Sequence, residues 1–394
     1  MPAKGAKVNT FPHCDVLVVG NGIIGATIAW RAAESNLKVT ILDPTPGMGA
    51  TQTAAGMLAP ISESSFGEEK LTELCLNSYQ LWEEFAVKLQ NKTGQNLDFY
   101  KSGTLLVGFD RDDATLGAQM HKLHLELGLQ VEDLTLSEAR QKEPFLANRI
   151  SSAYWIAQDH QVNPRLVYQS LWQILNNHHN ISVVPHWAQQ ITIDGGKANG
   201  IVLENGETIT AERIILAAGA QSSNLLQASG IGELYPQIRS VSGQTIRLRA
   251  PKEIQLTHVV RGTVQLRPIY VVPRNPSLVS GQNSGGYEIV VGASNEERRL
   301  TQAKAGAVFG LLRDARALIP ALDECDFIEV STGWRPGSPD NLPVIGQGPI
   351  ENLIISSGHY RNGVLLTPLT AAYFDDYFAN GRLPKSLSPQ RFQR

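Results

Sequence analysis

Cysteine is scarce in this chain of 394 residues: Cys14, Cys75 and Cys325 are the only three, and they lie far apart. Neither a disulfide framework nor a CxxC metal site can be built from them, and a reducing, cytoplasmic compartment is expected. Basic excess is absent too. With Lys+Arg at 34, Asp+Glu at 37 and a net charge of −3, nothing is available to neutralise a phosphate backbone, so nucleic acid is excluded as a partner. No apolar run reaches the ~20 residues of a membrane span, because Asn21 and the glycines at 20, 22 and 25 interrupt the longest one. The N-terminal stretch carries Lys4 and Lys7 but no apolar centre, which predicts a short tail and not a secretory signal. The patterns G-x-x-x-x-G-K-[ST], H-E-x-x-H and G-x-S-x-G are missing as well, removing P-loop, zincin and α/β-hydrolase chemistry. His121 and His124 share a helix face and His178 adjoins His179, but neither pair has further ligands at metal spacing, so no metal is expected.

What is present is glycine, 35 residues of it, placed where backbone has to approach something closely. The 42% hydrophobic content describes a globular chain of about two to three domain equivalents. Periodicity predicts a strand at 15–19, a helix through 35 and a strand at 38–42, which make one βαβ unit. One amphipathic helix is predicted over 71–90 from Leu71, Leu74, Leu81, Phe85 and Leu89, then a strand at 104–109 and a helix over 114–127 with Asp110, Asp112 and Asp113 leading in. Asn163 and Pro164 mark the start of a helix over 164–175. Strands at 181–184, 191–193, 201–203 and 213–217 are divided by the Gly195-Gly196 and Asn205-Gly206 turns. Strands at 245–248, 264–273 and 288–292, with no long helix between them, indicate an antiparallel sheet. A helix over 303–318, strands at 327–331 and 353–356 and a helix over 364–378 finish the chain.

Gly20-x-Gly22-x-x-Gly25 lies between the first strand and helix, and Asp43 ends the second strand, so the dinucleotide fingerprint sits in the context it requires. The first glycine permits the tight turn, the second lets pyrophosphate approach, the third seats helix on strand, and Asp43 binds ribose hydroxyls. This fingerprint does not separate NAD from FAD. The segment PTPGMGATQTAAGMLAP (44–60) does, because its small residues let backbone lie against a large planar ligand, which suits a flavin. GHYRNGVLLTP (358–368) opens a helix with a glycine-bearing loop able to stabilise negative charge on a reduced flavin. GWRPGSPDNLPVIG (333–346) and that second loop place Arg335 and Arg361, residues that grip carboxylates, in loops near the flavin. The predicted architecture is α/β, with a discontinuous Rossmann-like FAD-binding domain at 11–90, 151–240 and 331–394 and an inserted antiparallel-sheet α+β substrate domain at 91–150 and 241–330.

GNGIIG, TAAGMLAP, IYVVPR (269–274), VVGASNEE (290–297), GWRPGSPDNLPVIG and GHYRNGVLLTP together resemble the glycine oxidases of thiamine biosynthesis, within the D-amino acid oxidase and sarcosine oxidase superfamily. The resemblance runs from Phe11 to the C-terminal helix. It implies noncovalent FAD and a small amino acid substrate, glycine, sarcosine or a small D-amino acid, with molecular oxygen accepting the electrons to give hydrogen peroxide, and it leaves homo-oligomerisation open. Arg335 is implied as the carboxylate clamp, Arg361 as a second substrate-side arginine and Tyr270 as a pocket hydroxyl. Implied FAD contacts are Gly20, Gly22, Ile23, Ile24, Gly25, Asp43, Pro44, Thr51, Gln52, Ala55, Gly56, Met57, Gln189, Gly219 and the run His359, Tyr360, Arg361, Asn362, Gly363, Val364 and Leu365. Two positions depart from the family: Pro268, where a histidine occurs in a bacterial form, and Asn295, where an apolar residue can occur. Relatives with covalent flavin carry a cysteine near 333–335, whereas here the nearest is Cys325, in a predicted strand. Other readings stay open: a dehydrogenase using an acceptor other than oxygen, or a non-catalytic flavin-binding subunit.

Overall fold

The computed structural model describes residues 11–275 and 286–393, and the tail expected at the N-terminus lies largely outside these. Two large sheets dominate. The first runs Val344–Gln347, Leu353–Ser357, Thr208–Leu216, Cys14–Val19, Val39–Leu42, Ile181–Val184, and Lys197–Leu203 and Ala188–Asp194 join it through Thr208–Leu216. Its central pairs are parallel, with Val16 aligned to Arg213 on one side and to Val39 on the other. Such strands are buried on both faces, which is why DVLVV and VTIL are continuous apolar runs and not alternating ones. The helix Ile23–Glu34 and the helices Pro164–Asn177 and Thr367–Asn380 cover one face around Trp30, Trp82 and Phe374.

The second sheet runs Asp326–Gly337, Arg239–Ala250, Tyr287–Gly292, Arg267–Pro273, Val259–Val264, Thr104–Gly108, Ser152–Ile156, Glu132–Asp133. All its pairs are antiparallel except Val259–Val264 with Thr104–Gly108. Helix Ala305–Leu318 packs Leu311, Ala315 and Leu318 into its core. Ser152–Ile156 and the whole of Asp326–Gly337 belong to this sheet, so its strands run past the divisions expected at 150 and 330. No helix of the described residues is long and apolar enough to cross a membrane.

Several elements differ from the expectation. The segment 71–90 is two helices, Glu69–Gln80 and Trp82–Thr93, because the Leu81 amide bonds back to the Ser78 carbonyl in a tightened turn while Ser78 and Trp82 both donate to the carbonyl of Leu365. The strand expected at 264–273 is a hairpin turning at Gln265 and Leu266, with φ of 51° and 61° and no glycine or asparagine to announce it. Asp113 explains the turn: its carboxylate accepts from the amides of Gln265 and Leu266 at 3.0 and 2.8 Å, and from Asp110 as half of a capping box on helix Arg111–Glu126. The C-terminal helix starts at Thr367 and not at 364, after a 3-10 turn at Tyr360–Asn362.

Candidate active site

The C-terminal ends of the parallel strands meet at one edge of the first sheet, the crevice where open α/β sheets take ligands. At Gly20, φ 103°, a Cβ would stand 2.5 Å from the Ala217 carbonyl oxygen, so only glycine makes the turn. A Cβ at Gly25 would meet the Gly20 oxygen at 1.9 Å; this glycine seats the helix on the strand and does not reach the cavity. Gly22 faces open space, its nearest neighbour being the Thr51 hydroxyl at 3.4 Å. That hydroxyl accepts from the Ile23 amide at 3.0 Å and so ties the small-residue segment to the helix start. Asp43 accepts from the amides of Asn21 and Thr45 at 2.7 and 2.8 Å, which fixes the carboxylate and leaves lone pairs for hydroxyl donors.

A cavity of about 630 Å³ opens between the two sheets. Gly20, Gly22, Ile23, Ile24, Asp43, Pro44, Thr51, Ala55, Gly56, Met57, Gln189 and Gly219 line it from the first sheet and its loops, and His359, Tyr360, Arg361, Asn362, Gly363 and Val364 line it from the C-terminal segment. Besides Gly25, two expected contacts fall outside the cavity wall. Leu365 is buried in the first core, its carbonyl receiving Ser78 Oγ at 2.7 Å and Trp82 Nε1 at 2.9 Å. Gln52 is outside the wall, its carbonyl held by Arg165 and Arg247 at 3.1 and 3.2 Å. The glycine cradle, the free lone pairs of Asp43 and the side-chain-poor wall from Ala54 to Gly56 fit the phosphates, ribose and ring system of FAD.

The second sheet supplies the opposite wall. Register places Arg261 across from Tyr270, Tyr270 across from Gly292, Gly292 across from Thr245 and Thr245 across from Ser331, one row on one face. Arg335 lies on the strand Asp326–Gly337, not in a loop, four residues beyond Ser331 and therefore on that same face. Its Nη1 donates to the Ser294 carbonyl at 3.1 Å and, at 3.4 Å, to that of Ser242. The guanidinium lies flat on Gly243, where a Cβ would come within 2.4 Å of both terminal nitrogens. Burial lowers the Arg335 pKa, Tyr270 opposes that shift, and Arg361 adds to it. Burial raises the Tyr270 hydroxyl against the pull of Arg335, Arg247, Arg361 and Arg261. His359 is pushed down to about 3 by burial and enters as a neutral ring, 3.2 Å from the Thr370 hydroxyl.

Arg261 and Glu63, paired on the same wall, have no counterpart in the sequence reading. With no strand predicted at 259–264, the facing of Arg261 could not be assigned, and the hairpin turn that would have exposed the strand carries no signal. Pro268 lines the cavity too, and Asn295 accepts from the Tyr360 hydroxyl at 3.4 Å. Cys325 precedes its strand and packs beside the second core, away from the cavity.

A parallel-sheet dinucleotide cradle facing an antiparallel wall of arginines defines a flavin-dependent redox protein, and the chain belongs to the FAD dependent oxidoreductases, whose family model matches residues 15–377. Among its relatives is the bifunctional protein ThiO/ThiG of Trichormus variabilis, 30% identical over 389 residues that cover 96% of this chain and 55% of that protein. The glycine oxidase of Geobacillus kaustophilus is 29% identical, with 95% of each covered. The crystal structure of glycine oxidase from that organism matches at a TM-score of 0.84 and 28% identity, covering 96% of this chain and 98% of the other. The chain thus spans about half the length of the bifunctional relatives, at 55%, and nearly the whole of the glycine oxidase.

Proposed function

We propose that this FAD-dependent oxidoreductase is a glycine oxidase: it oxidises glycine or another small amino acid, sarcosine or a small D-amino acid, to the imine, which water converts to the oxo acid and ammonia (methylamine from sarcosine), while molecular oxygen becomes hydrogen peroxide. In this reading the imine serves thiamine thiazole synthesis. One observation carries it: Arg335 and Tyr270 on the wall facing the dinucleotide cradle and Arg361 from the C-terminal segment line one cavity, close enough for Arg361 to act on both. The likeness to glycine oxidases over almost the full chain supports the same reading.

Arg335 takes the substrate carboxylate through its planar fork, with Arg361 and the Tyr270 hydroxyl beside it. The Ser294 and Ser242 carbonyls hold the guanidinium in place before substrate arrives. When bound, FAD supplies the electron sink for the hydride of the α-carbon. Asp43, Gly22 and the 359–364 segment hold it without a covalent link. The test is peroxide formation by the FAD-loaded protein with glycine, sarcosine, D-alanine, D-proline and L-amino acids, measured side by side. Peroxide from glycine or another small substrate of this set is the expected result, and absence of flavin reduction by all of them overturns the reading.

A further inference from the structure

Arg261 and Glu63 form an ion pair on the cavity wall, their side chains 19% and 17% exposed. Arg261 stands across from Tyr270, and its guanidinium, brought down to about 10 by burial, also feels the charge of Arg361. Glu63 borders a second, water-sized void together with Asn362, the neighbour of Arg361, which places it at the arginine end. The other carboxylate on the cavity wall, Asp43, sits beside the glycine cradle instead. The arginine end therefore holds Arg261, Arg335 and Arg361, the hydroxyls of Tyr270 and Tyr360 and the neutral ring of His359, against the one carboxylate of Glu63.

This arrangement bears on the substrate's amine. An unopposed carboxylate within about 4–6 Å raises a neighbouring amine's pKa by about 1 to 3 units and holds it as ammonium. An ammonium has no lone pair to form the C=N bond as hydride leaves. We propose that Arg261 is a positioning residue that cancels Glu63, so that the pocket binds its amino acid with the amine neutral and the proton released to solvent. The inference rests on the amino acid oxidase reading and adds what sets the protonation state of the substrate.

The test is an equilibrium one. FAD-loaded protein is titrated from about pH 6 to 9 with 2-aminoisobutyrate, which has no α-hydrogen to lose, and with acetate, binding being followed by flavin absorbance. Wild type should bind 2-aminoisobutyrate about tenfold more tightly per pH unit, the signature of one released proton, while acetate binding stays flat. Arg261→Met should abolish that slope, and Arg261→Met combined with Glu63→Gln should restore it, which a merely structural role for Arg261 would not produce. Equal slopes in wild type and Arg261→Met overturn the proposal. So does a Glu63→Gln single variant that weakens 2-aminoisobutyrate but not acetate, because Glu63 would then bind the amine directly. Flavin reduction by glycine tests the oxidase reading separately and does not enter the comparison.

Discussion

At the residue scale the cavity depends on where guanidinium groups are allowed to lie. Arg335 is half-buried and already hydrogen-bonded to two backbone carbonyls, so it meets a carboxylate with little reorganisation. Deleting one partner of a desolvated charge pair costs about 3 to 5 kcal/mol. Arg335→Ala is expected to lower kcat/KM by roughly two to three and a half orders of magnitude, at ~1.4 kcal/mol per decade, with FAD content unchanged. Arg335→Lys should recover only part of the loss, since an ammonium lacks the fork. Steady-state kinetics on both variants, with flavin content measured in parallel, check this. Gly243 makes a second, subtler prediction. A methyl there meets the guanidinium at 2.4 Å and pushes it aside. Gly243→Ala should reduce kcat/KM by about 10- to 100-fold through misplacement alone, and an unchanged value would show that the guanidinium reaches substrate from another position.

At the element scale, one carboxylate organises two structures distant in sequence. Asp113 caps its own helix and accepts the amides of Gln265 and Leu266, both of which the turn holds at positive φ. Burial works to raise its pKa, but the amide hydrogen bonds from Leu266, Asp110 and Gln265 outweigh it and the carboxyl is held below its ordinary value. A depressed carboxyl contributes stability that is full above the unfolded value of about 4 and is lost as pH falls through the folded value. Asp113→Ala should therefore cost about 2 to 4 kcal/mol near neutral pH. Denaturant unfolding of wild type and variant should show the gap narrowing as pH drops below about 4; a gap independent of pH would mean that the charge of Asp113 is not what holds the turn.

At the scale of the whole molecule, the cavity lies where two sheets meet, and an arginine network joins them. Arg247, 1% exposed, reaches Glu329 at 3.1 Å and Glu288 at 3.4 Å, and with Arg165 it grips the Gln52 carbonyl. The small-residue segment that lines the cavity is in this way tied to the strand bearing Arg335. No cysteine reaches the cavity wall, because Cys14, Cys75 and Cys325 all lie elsewhere. FAD should accordingly copurify and be released by acid precipitation, leaving a colourless pellet; yellow colour retained by the denatured protein would prove a covalent link.

The sequence by itself determined the βαβ start, the glycine cradle with Asp43 and the return of the chain to the first sheet, because each is a local signal: a turn only glycine makes, an apolar run, a cap. It also contained Arg335, Arg361 and Tyr270 in recognisable segments. Only the tertiary structure decided that Arg335 projects from a strand, that Gly25 and Leu365 face packing and not ligand, and that Arg261 and Glu63 join the cavity wall. These facts depend on register. A residue's face on a sheet follows from its partner strand, and the hairpin that sets the register of Arg261 is held by the distant side chain of Asp113 and not by its own turn residues.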